Sequence, residues 1–172
     1  AHPAIEEVIL TGGDPLILSA RRVGAMLERL GSIAHIQRLR VHTRVPVMAP
    51  ERITGELVAA LDTEKPLFVV LHANHAREFT EAARSALGRL RYGGVPVLGQ
   101  SVLLRGVNDS EAALRELFTT MLSCRVKPYY LHHLDPAPGT ARFHVPIVEG
   151  RALMAKLRGT ISGTALPRYI QD

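Results

Sequence analysis

A parallel α/β fold is predicted by the sequence, because short apolar runs alternate with amphipathic helical patterns from one end of the chain to the other. Five of the apolar runs have the character of strands, and each is followed directly by a cluster of polar residues. The carboxyl ends of parallel strands share one edge of a sheet, where ligands of α/β proteins bind. The polar clusters are therefore expected to converge on one site. They occupy residues 11–15, 42–44, 72–75, 100–101 and 132–135.

The strands are recognised as apolar runs that end at glycine or polar residues. The clearest is the run at residues 67–71, whose unbroken apolar character is typical of a strand buried on both faces. In the fourth run, Gly99 and the polar Gln100 interrupt the pattern. The five strands are predicted at residues 5–10, 36–42, 67–71, 95–104 and 129–134, and residues 166–170 are a candidate for a sixth.

The helices are recognised by apolar residues spaced three and four apart after a capping residue. Ser19 is the expected N-cap of the first helix and Gly31 its end, and Thr54 is the expected cap of the second. Short connections favour right-handed parallel crossovers, in a sheet that either closes as a barrel or stays open. The five helices are predicted at residues 19–30, 53–61, 78–92, 108–122 and 148–158.

Composition limits the class of protein. At 172 residues, with 47% hydrophobic and 22% charged side chains, the chain is predicted to form one soluble globular segment over residues 1–172. No apolar run approaches the ~18 residues of a membrane span. The net charge of +5 is dispersed, which favours small anionic ligands over nucleic acid. The single cysteine, Cys124, is expected in the core and indicates a reducing compartment, so a cytoplasmic location is predicted.

The sharpest local motif is Gly12-Gly13-Asp14, directly after the first strand. Two glycines allow a ligand to approach the main chain, whose N–H groups can bind an anion. Asp14 could then accept hydrogen bonds from an amine, although the same residues also suit a plain turn. The motif is not Gly-x-Gly-x-x-Gly, and no acidic residue ends the second strand, which disfavours a nicotinamide site.

Three further polar positions are candidates for ligand binding. His72, with Asn74 and His75 beside it, closes the third strand, where hydrogen bonding to a ligand is favoured over metal binding or a solvated loop. Gln100 is costly to bury within an apolar strand unless its amide faces a polar partner. Asp135, after the fifth strand, could be a general base, a cation-binding carboxylate or a turn former.

These motifs together resemble the lysine 2,3-aminomutase family of radical S-adenosylmethionine enzymes. The matching segments follow the order of the family and extend over essentially the whole chain. The most specific of them is Gln-Ser-Val-Leu-Leu-Arg-Gly-Val-Asn-Asp. The segments are residues 10–16, 43–47, 72–75, 100–109, 128–130 and 157–163.

The resemblance implies a partial (β/α) barrel of the radical S-adenosylmethionine type, with five to six parallel strands and outer helices. It also implies three cofactors, namely S-adenosylmethionine, a 4Fe–4S cluster and pyridoxal 5′-phosphate. In the family, the glycine-rich motif binds the methionyl amino group of S-adenosylmethionine. The residues of this chain that match the S-adenosylmethionine site are Gly12, Gly13, Asp14, Arg44, His72 and Gln100.

The same resemblance assigns two carboxylates to the substrate. Asp135 matches one of the pair that binds the ε-ammonium group of lysine, and Asp172 falls where the second belongs. A desolvated ammonium group must be neutralised, so paired carboxylates are its natural receptor.

The chain departs from the family pattern in four places. The three-cysteine cluster motif would precede this segment, and the lysine that binds pyridoxal phosphate would follow Asp172 by a few residues. No catalytic residue and no metal ligand are therefore expected here, and the segment alone is expected to be inactive. Ser110 stands where some members have a zinc-binding cysteine, and His132 where the best-known members have a tyrosine.

The expected activity is transfer of the amino group of L-lysine from C2 to C3, initiated by a 5′-deoxyadenosyl radical. The expected partners are an amino-acid substrate and an external electron donor. A homo-oligomer is possible, and binding to nucleic acid or to a membrane is not expected. The alternatives are a paralogue that makes β-lysine for modification of an elongation factor, a glutamate or arginine 2,3-aminomutase, and a non-catalytic barrel fragment.

Overall fold

Six parallel β-strands with flanking helices make up the protein, as seen in a computed structural model that describes residues 2–171. The strands lie in one sheet in chain order, so the predicted α/β class is confirmed, and the sixth strand is present. The strands are β1 (Glu7–Leu10), β2 (Arg38–Thr43), β3 (Leu67–His72), β4 (Val97–Val102), β5 (Lys127–His132) and β6 (Arg168–Ile170).

The six helices alternate with the strands, apart from one extra short helix after β2. Each of the five helical patterns in the sequence corresponds to one of them. The helices are α1 (Ala20–Gly31), α2 (Val45–Met48), α3 (Gly55–Ala60), α4 (Glu81–Tyr92), α5 (Glu111–Ser123) and α6 (Ile147–Arg158).

The chain divides into two compact units whose boundary passes through β3 and β4. The first unit comprises Ala1–Leu71 and Thr80–Leu98, and the second comprises His72–Phe79 and Gly99–Asp172.

In the first unit, parallel pairing of β1 with β2 places Val8 opposite Leu39. Along β2 the side chains alternate, with Leu39 and Val41 fully buried. Helices α1 and α3 approach closely at Gly24, where an added Cβ would lie 3.6 Å from Ala60 Cβ. The fully buried Leu27 and Ile53 contribute to the core of this unit.

In the second unit, the core is built on the apolar stripe of α5. Leu114, Leu117 and Met121 are fully excluded from solvent, as the spacing of three and four predicts. Beside them β5 pairs in parallel with β6, with Tyr130 opposite Arg168.

Helices α4 and α5 begin three residues later than predicted because residues expected in their first turns serve the preceding loops. Helix α4 begins at Glu81, since Thr80 accepts the Ala83 N–H at 3.2 Å and ends the loop. Helix α5 begins at Glu111, since Ser110 accepts the Ala113 N–H at 3.2 Å. By contrast, the caps predicted at Ser19 and Thr54 are confirmed, although Gly31 lies inside α1 and Ser32 is its C-cap.

The cap at Ser110 provides a stability test. Replacing it by alanine leaves the first turn of α5 without its side-chain acceptor, so Ser110→Ala is expected to lower the free energy of unfolding by about 1 kcal/mol. Ser110→Asp keeps an acceptor at the N-terminus of the helix and should stay near the wild type. Urea denaturation measures both, and equal stability of Ser110→Ala and wild type would contradict the capping role.

Among residues 2–171, no helix is both long enough and apolar enough to cross a membrane.

Candidate functional site

The loop after β1 presents open main chain. Gly12 has φ +98°, a left-handed conformation that disfavours side-chain-bearing residues. Apart from the glycine itself and the residues next to it in the chain, no atom lies within 4 Å of the position that a Cβ would take on Gly12 or on Gly13. The glycines therefore leave free space beside their backbone, which a ligand group can occupy.

Asp14 fixes this loop to the end of β2. Its Oδ1 accepts the Leu16 N–H at 3.0 Å and the Thr43 hydroxyl at 2.7 Å, and its Oδ2 accepts the Arg44 N–H at 2.6 Å. The sequence predicted a ligand group or a turn former at this position. The structure shows a carboxylate with three protein donors, so Asp14 stabilises the loop whatever else it binds.

Arg44 lies between the buried end of β2 and the short helix α2. Its backbone N–H is the donor to Asp14, whereas the residue itself is exposed. Both sequence-predicted residues Asp14 and Arg44 are thus joined directly within the first unit.

In the second unit, His72 is the last residue of β3 and Gln100 lies in the middle of β4. Both are half-buried. The Ala73 N–H donates to the Gln100 carbonyl at 3.1 Å, which aligns the end of β3 with Gln100. The backbone at the end of β3 is therefore adjacent to Gln100, whereas joint ligand binding by His72 and Gln100 stays a prediction.

Asn74 and His75, in contrast, bind the protein itself. Asn74 Oδ1 accepts the Val102 N–H at 2.8 Å, and His75 Nδ1 accepts the Arg77 N–H at 3.1 Å. The N–H groups of Asn74 and His75 both donate to Glu78 Oε1. These contacts close the turn, whose own N–H groups need acceptors when they leave the sheet. Ligand binding by Asn74 and His75 stays a prediction.

Asn108 is the residue that sequence reasoning assigned to the wrong task. It was expected to open a helix, but it is completely buried in the loop before α5. Its Oδ1 accepts the Leu104 N–H at 2.8 Å, and its Nδ2 donates to the carbonyls of Asn74 and Val102 at 2.9 Å each. The sequence contains one clue to this: Ser110 follows Asn108 by two residues and is an equally favoured N-cap, so either residue could have opened the helix.

Arg105 anchors the same loop from outside. Its guanidinium pairs with Glu149 at 2.8 Å and with Asp109 at 3.3 Å. The hydrogen bond that Arg105 donates to the Glu149 carboxylate is the main cause of a raised pKa at Arg105.

Asp135 is exposed and follows β5 by three residues, since the strand ends at His132 and not at residue 134 as predicted. It borders a pocket of about 520 Å³ whose other walls are mainly apolar. One carboxylate among prolines and alkyl groups is suited to an ammonium group on an aliphatic stem. Asp172, the second predicted carboxylate, lies outside the described residues. The pocket is lined by Leu134, Asp135, Pro136, Ala137, Pro138, Thr140, Ala141 and His144.

Metal-binding side chains and the single cysteine are the remaining groups that could carry chemistry. Within the described part of the chain, no group of three or more histidine, cysteine, aspartate or glutamate side chains could hold a metal ion. Cys124 is half-buried at the C-cap of α5 and so is not a core residue, contrary to the prediction. The chain ends its helix there and turns at Arg125 with φ +61°, which places the thiol at the margin of the core.

Comparison with known sequences gives a consistent result over the full length. No protein-family model matches the chain. It is 41% identical over 172 residues to a putative L-lysine 2,3-aminomutase of Aquifex aeolicus, covering 99% of this chain and 46% of that protein. It is also 41% identical over 173 residues to the L-lysine 2,3-aminomutase of Escherichia coli, covering 100% of this chain and 51% of that protein. The chain thus spans about half the length of these relatives.

Solved structures resemble the fold at low sequence identity. Streptococcus suis SuiB bound to S-adenosylmethionine matches with a TM-score of 0.67 and 13% identity, over 96% of this chain and 39% of that one. A domain of pyruvate-formate lyase-activating enzyme from Bacteroides vulgatus matches with a TM-score of 0.58 and 14% identity, over 96% and 98%. A radical SAM methyltransferase from Sphaerobacter thermophilus matches with a TM-score of 0.53 and 17% identity, over 77% and 40%. The partial-barrel fold expected from the sequence is confirmed by these neighbours.

Proposed function

Because this chain corresponds to a segment of the lysine 2,3-aminomutase family of radical S-adenosylmethionine proteins, we propose that the whole protein to which it belongs is an aminomutase. The proposed reaction moves the α-amino group of L-lysine to the β-carbon. Identity of 41% over the full chain supports this reaction class. The single structural observation that carries the proposal is the open main chain at Gly12 and Gly13, which Asp14 holds in place.

We propose that this loop binds the methionyl amino group of S-adenosylmethionine. The fit is chemical: the loop offers free space beside two glycines, and Asp14 has capacity for one more donor after three protein donors. An ammonium group supplies such a donor, with a charge that complements the carboxylate. The residues proposed for this cofactor are Gly12, Gly13, Asp14, Arg44, His72 and Gln100.

Two further cofactors belong to the proposal for the whole protein, a 4Fe–4S cluster and pyridoxal 5′-phosphate. When bound, these groups and S-adenosylmethionine supply the radical and carbon–nitrogen chemistry. The residues of this chain would bind, orient and shield the reactants. An external electron donor, homo-oligomeric assembly and a cytoplasmic location stay predictions.

We propose that Asp135 and Asp172 together bind the ε-ammonium group of lysine. The apolar walls beside Asp135 support this role, since they suit the methylene stem of lysine. A substrate with a carboxylate in place of the ammonium group would be repelled at such a site.

The test is an assay of the whole protein with cluster, S-adenosylmethionine, pyridoxal phosphate and a reductant, under anaerobic conditions. β-Lysine detected by mass spectrometry is the expected product. Turnover of glutamate but not lysine would refute the assignment of the two carboxylates. Turnover of arginine but not lysine would instead favour an arginine 2,3-aminomutase, because carboxylates also bind a guanidinium group. Binding of S-adenosylmethionine without turnover of any amino acid would instead favour a non-catalytic protein.

The substrate carboxylate can be tested separately. Asp135→Asn removes the charge but keeps the shape, so the KM for lysine is expected to rise by about tenfold to a hundredfold, as for loss of a charged hydrogen-bond partner. Glu116→Gln, at an exposed site on α5, is the matched control and should leave KM unchanged. A KM equal to that of wild type in Asp135→Asn would remove Asp135 from the substrate site.

A further inference from the structure

Thr43 is a buried hydroxyl at the carboxyl end of β2, and the proposed function does not assign it a role. Thr43 as a whole is 3% exposed to solvent. The hydroxyl donates to Asp14 Oδ1 at 2.7 Å and accepts the Val45 N–H at 3.0 Å. The hydroxyl therefore both donates one hydrogen bond and accepts another, so its orientation is fixed and its proton points at Asp14.

The position of this hydroxyl determines how Asp14 is held. Asp14 Oδ1 is shared by Thr43 and the Leu16 N–H, while Oδ2 receives the Arg44 N–H. A carboxylate accepts about four hydrogen bonds, so the remaining capacity lies on Oδ2. Because Thr43 ends β2 and Arg44 follows it directly, the end of the strand sets the direction of that free lone pair.

We propose that Thr43 is a positioning residue for ligand binding at the glycine loop and acts through Asp14. Its hydroxyl orients the carboxylate so that Oδ2 can accept a hydrogen bond from the amino group of S-adenosylmethionine. This inference rests on the proposed function, in which the loop binds that group. Without the hydroxyl, the carboxylate retains fewer fixed partners and must be ordered when the ligand binds, which weakens affinity.

A purely structural role for Thr43 makes a different prediction. The hydroxyl also accepts the Val45 N–H at the start of α2, a contact that does not involve Asp14. If that contact were the important one, loss of the hydroxyl would affect ligand binding equally with and without the Asp14 carboxylate. A double-mutant cycle between positions 14 and 43 therefore separates the two roles.

The experiment measures binding of radiolabelled S-adenosylmethionine to the whole protein, carrying its cluster, by equilibrium dialysis. Thr43→Val is expected to weaken binding by about tenfold, the size expected for one orienting hydrogen bond. Thr43→Ser should restore affinity, and Thr43→Val should cause no further loss in an Asp14→Ala background. Thr119→Val, at an exposed threonine on α5, is the matched control and should bind as the wild type does.

Hydrogen exchange gives a readout without ligand. The Leu16 and Arg44 amides, which donate to Asp14, are expected to exchange faster in Thr43→Val than in wild type. Thr43→Ala, with the same expected results, replaces Thr43→Val if the valine variant does not fold by circular dichroism.

The outcomes distinguish this inference from the proposed function. If the wild type does not bind S-adenosylmethionine, the proposed function is refuted and the role of Thr43 falls with it. If the wild type binds, but Thr43→Val binds equally well or loses the same affinity in the Asp14→Ala background, only the role of Thr43 is overturned.

Discussion

Asn108→Leu is expected to lower the free energy of unfolding by about 3–4 kcal/mol. Leucine has nearly the shape of asparagine but cannot bond the Leu104 N–H or the carbonyls of Asn74 and Val102, which Asn108 contacts at 2.8–2.9 Å. Leaving a buried polar group without its partner costs about 1–3 kcal/mol. Because Asn108 is fully buried, solvent cannot replace these bonds without local opening. Urea denaturation measures the difference.

A second variant at this position tests which bonds matter. Asn108→Asp keeps the oxygen that accepts the Leu104 N–H. It replaces the amide nitrogen by a second oxygen, which faces the carbonyl oxygens of Asn74 and Val102, and the carboxylate is charged at neutral pH. Burial raises the pKa of such a carboxyl, so the folded state prefers the protonated form. Stability relative to wild type should therefore be lowest at neutral pH and recover as the pH falls. Glu116→Gln serves as the exposed control and should change stability by less than about 0.5 kcal/mol.

Either of two results would contradict this assignment. If Asn108→Leu unfolds at the same urea concentration as the control, the loop does not depend on the amide. If Asn108→Asp shows no recovery at acid pH, the second oxygen does not face the two carbonyls.

Gly150→Ala is expected to destabilise the protein by about 2–3 kcal/mol. A Cβ on Gly150 in α6 would lie 2.6 Å from Tyr169 Cζ and 2.8 Å from Cε1, and closer still to the hydroxyl. The ring would have to move, although its hydroxyl bonds His133 Nδ1 at 2.9 Å and burial raises the pKa of Tyr169. Overpacking of this kind costs about 1–3 kcal/mol, and loss of the hydrogen bond adds to it. The change in thermal unfolding midpoint measures the effect.

The matched control is the same substitution in another helix. Gly88 lies within α4, and a Cβ there would meet no atom within 4 Å. Gly88→Ala is expected to stabilise the protein by about 0.5–1 kcal/mol through helix propensity alone. In a Tyr169→Ala background Gly150→Ala should also become neutral or stabilising. A continued loss of stability there would show that the ring is not the obstacle.

Local sequence signals were sufficient for the order of elements and for several of their ends. The caps at Ser19 and Thr54 act over three residues, so they can be recognised without the fold. The stripe on α5 is recognisable for the same reason, because one helix carries the whole pattern. The starts of α4 and α5 were predicted too early. At the start of α4, His75 and Glu78 close a separate turn before the helix.

The candidate site was predictable only in part. The glycines after β1 and the polar residues at strand ends were selected as candidates from their positions, and Gln100 because a polar residue interrupts an apolar strand. Thr43 was not selected, since one hydroxyl at a strand end has no distinguishing pattern. Its partner Asp14 lies 29 residues away in the sequence.

By itself, the sequence determined the parallel α/β class, the chain order of its strands and helices, and a relationship that extends over the whole chain. Those properties depend on periodicity and on short motifs, which act locally. Only the tertiary structure decided which polar side chains bind distant backbone groups, as Asn74 does at the Val102 N–H and Asn108 at the Asn74 carbonyl. It also decided which loop leaves open main chain, as at Gly12 and Gly13. The physical reason is that a hydrogen-bonding group is satisfied by whichever donors and acceptors the fold brings within about 3 Å.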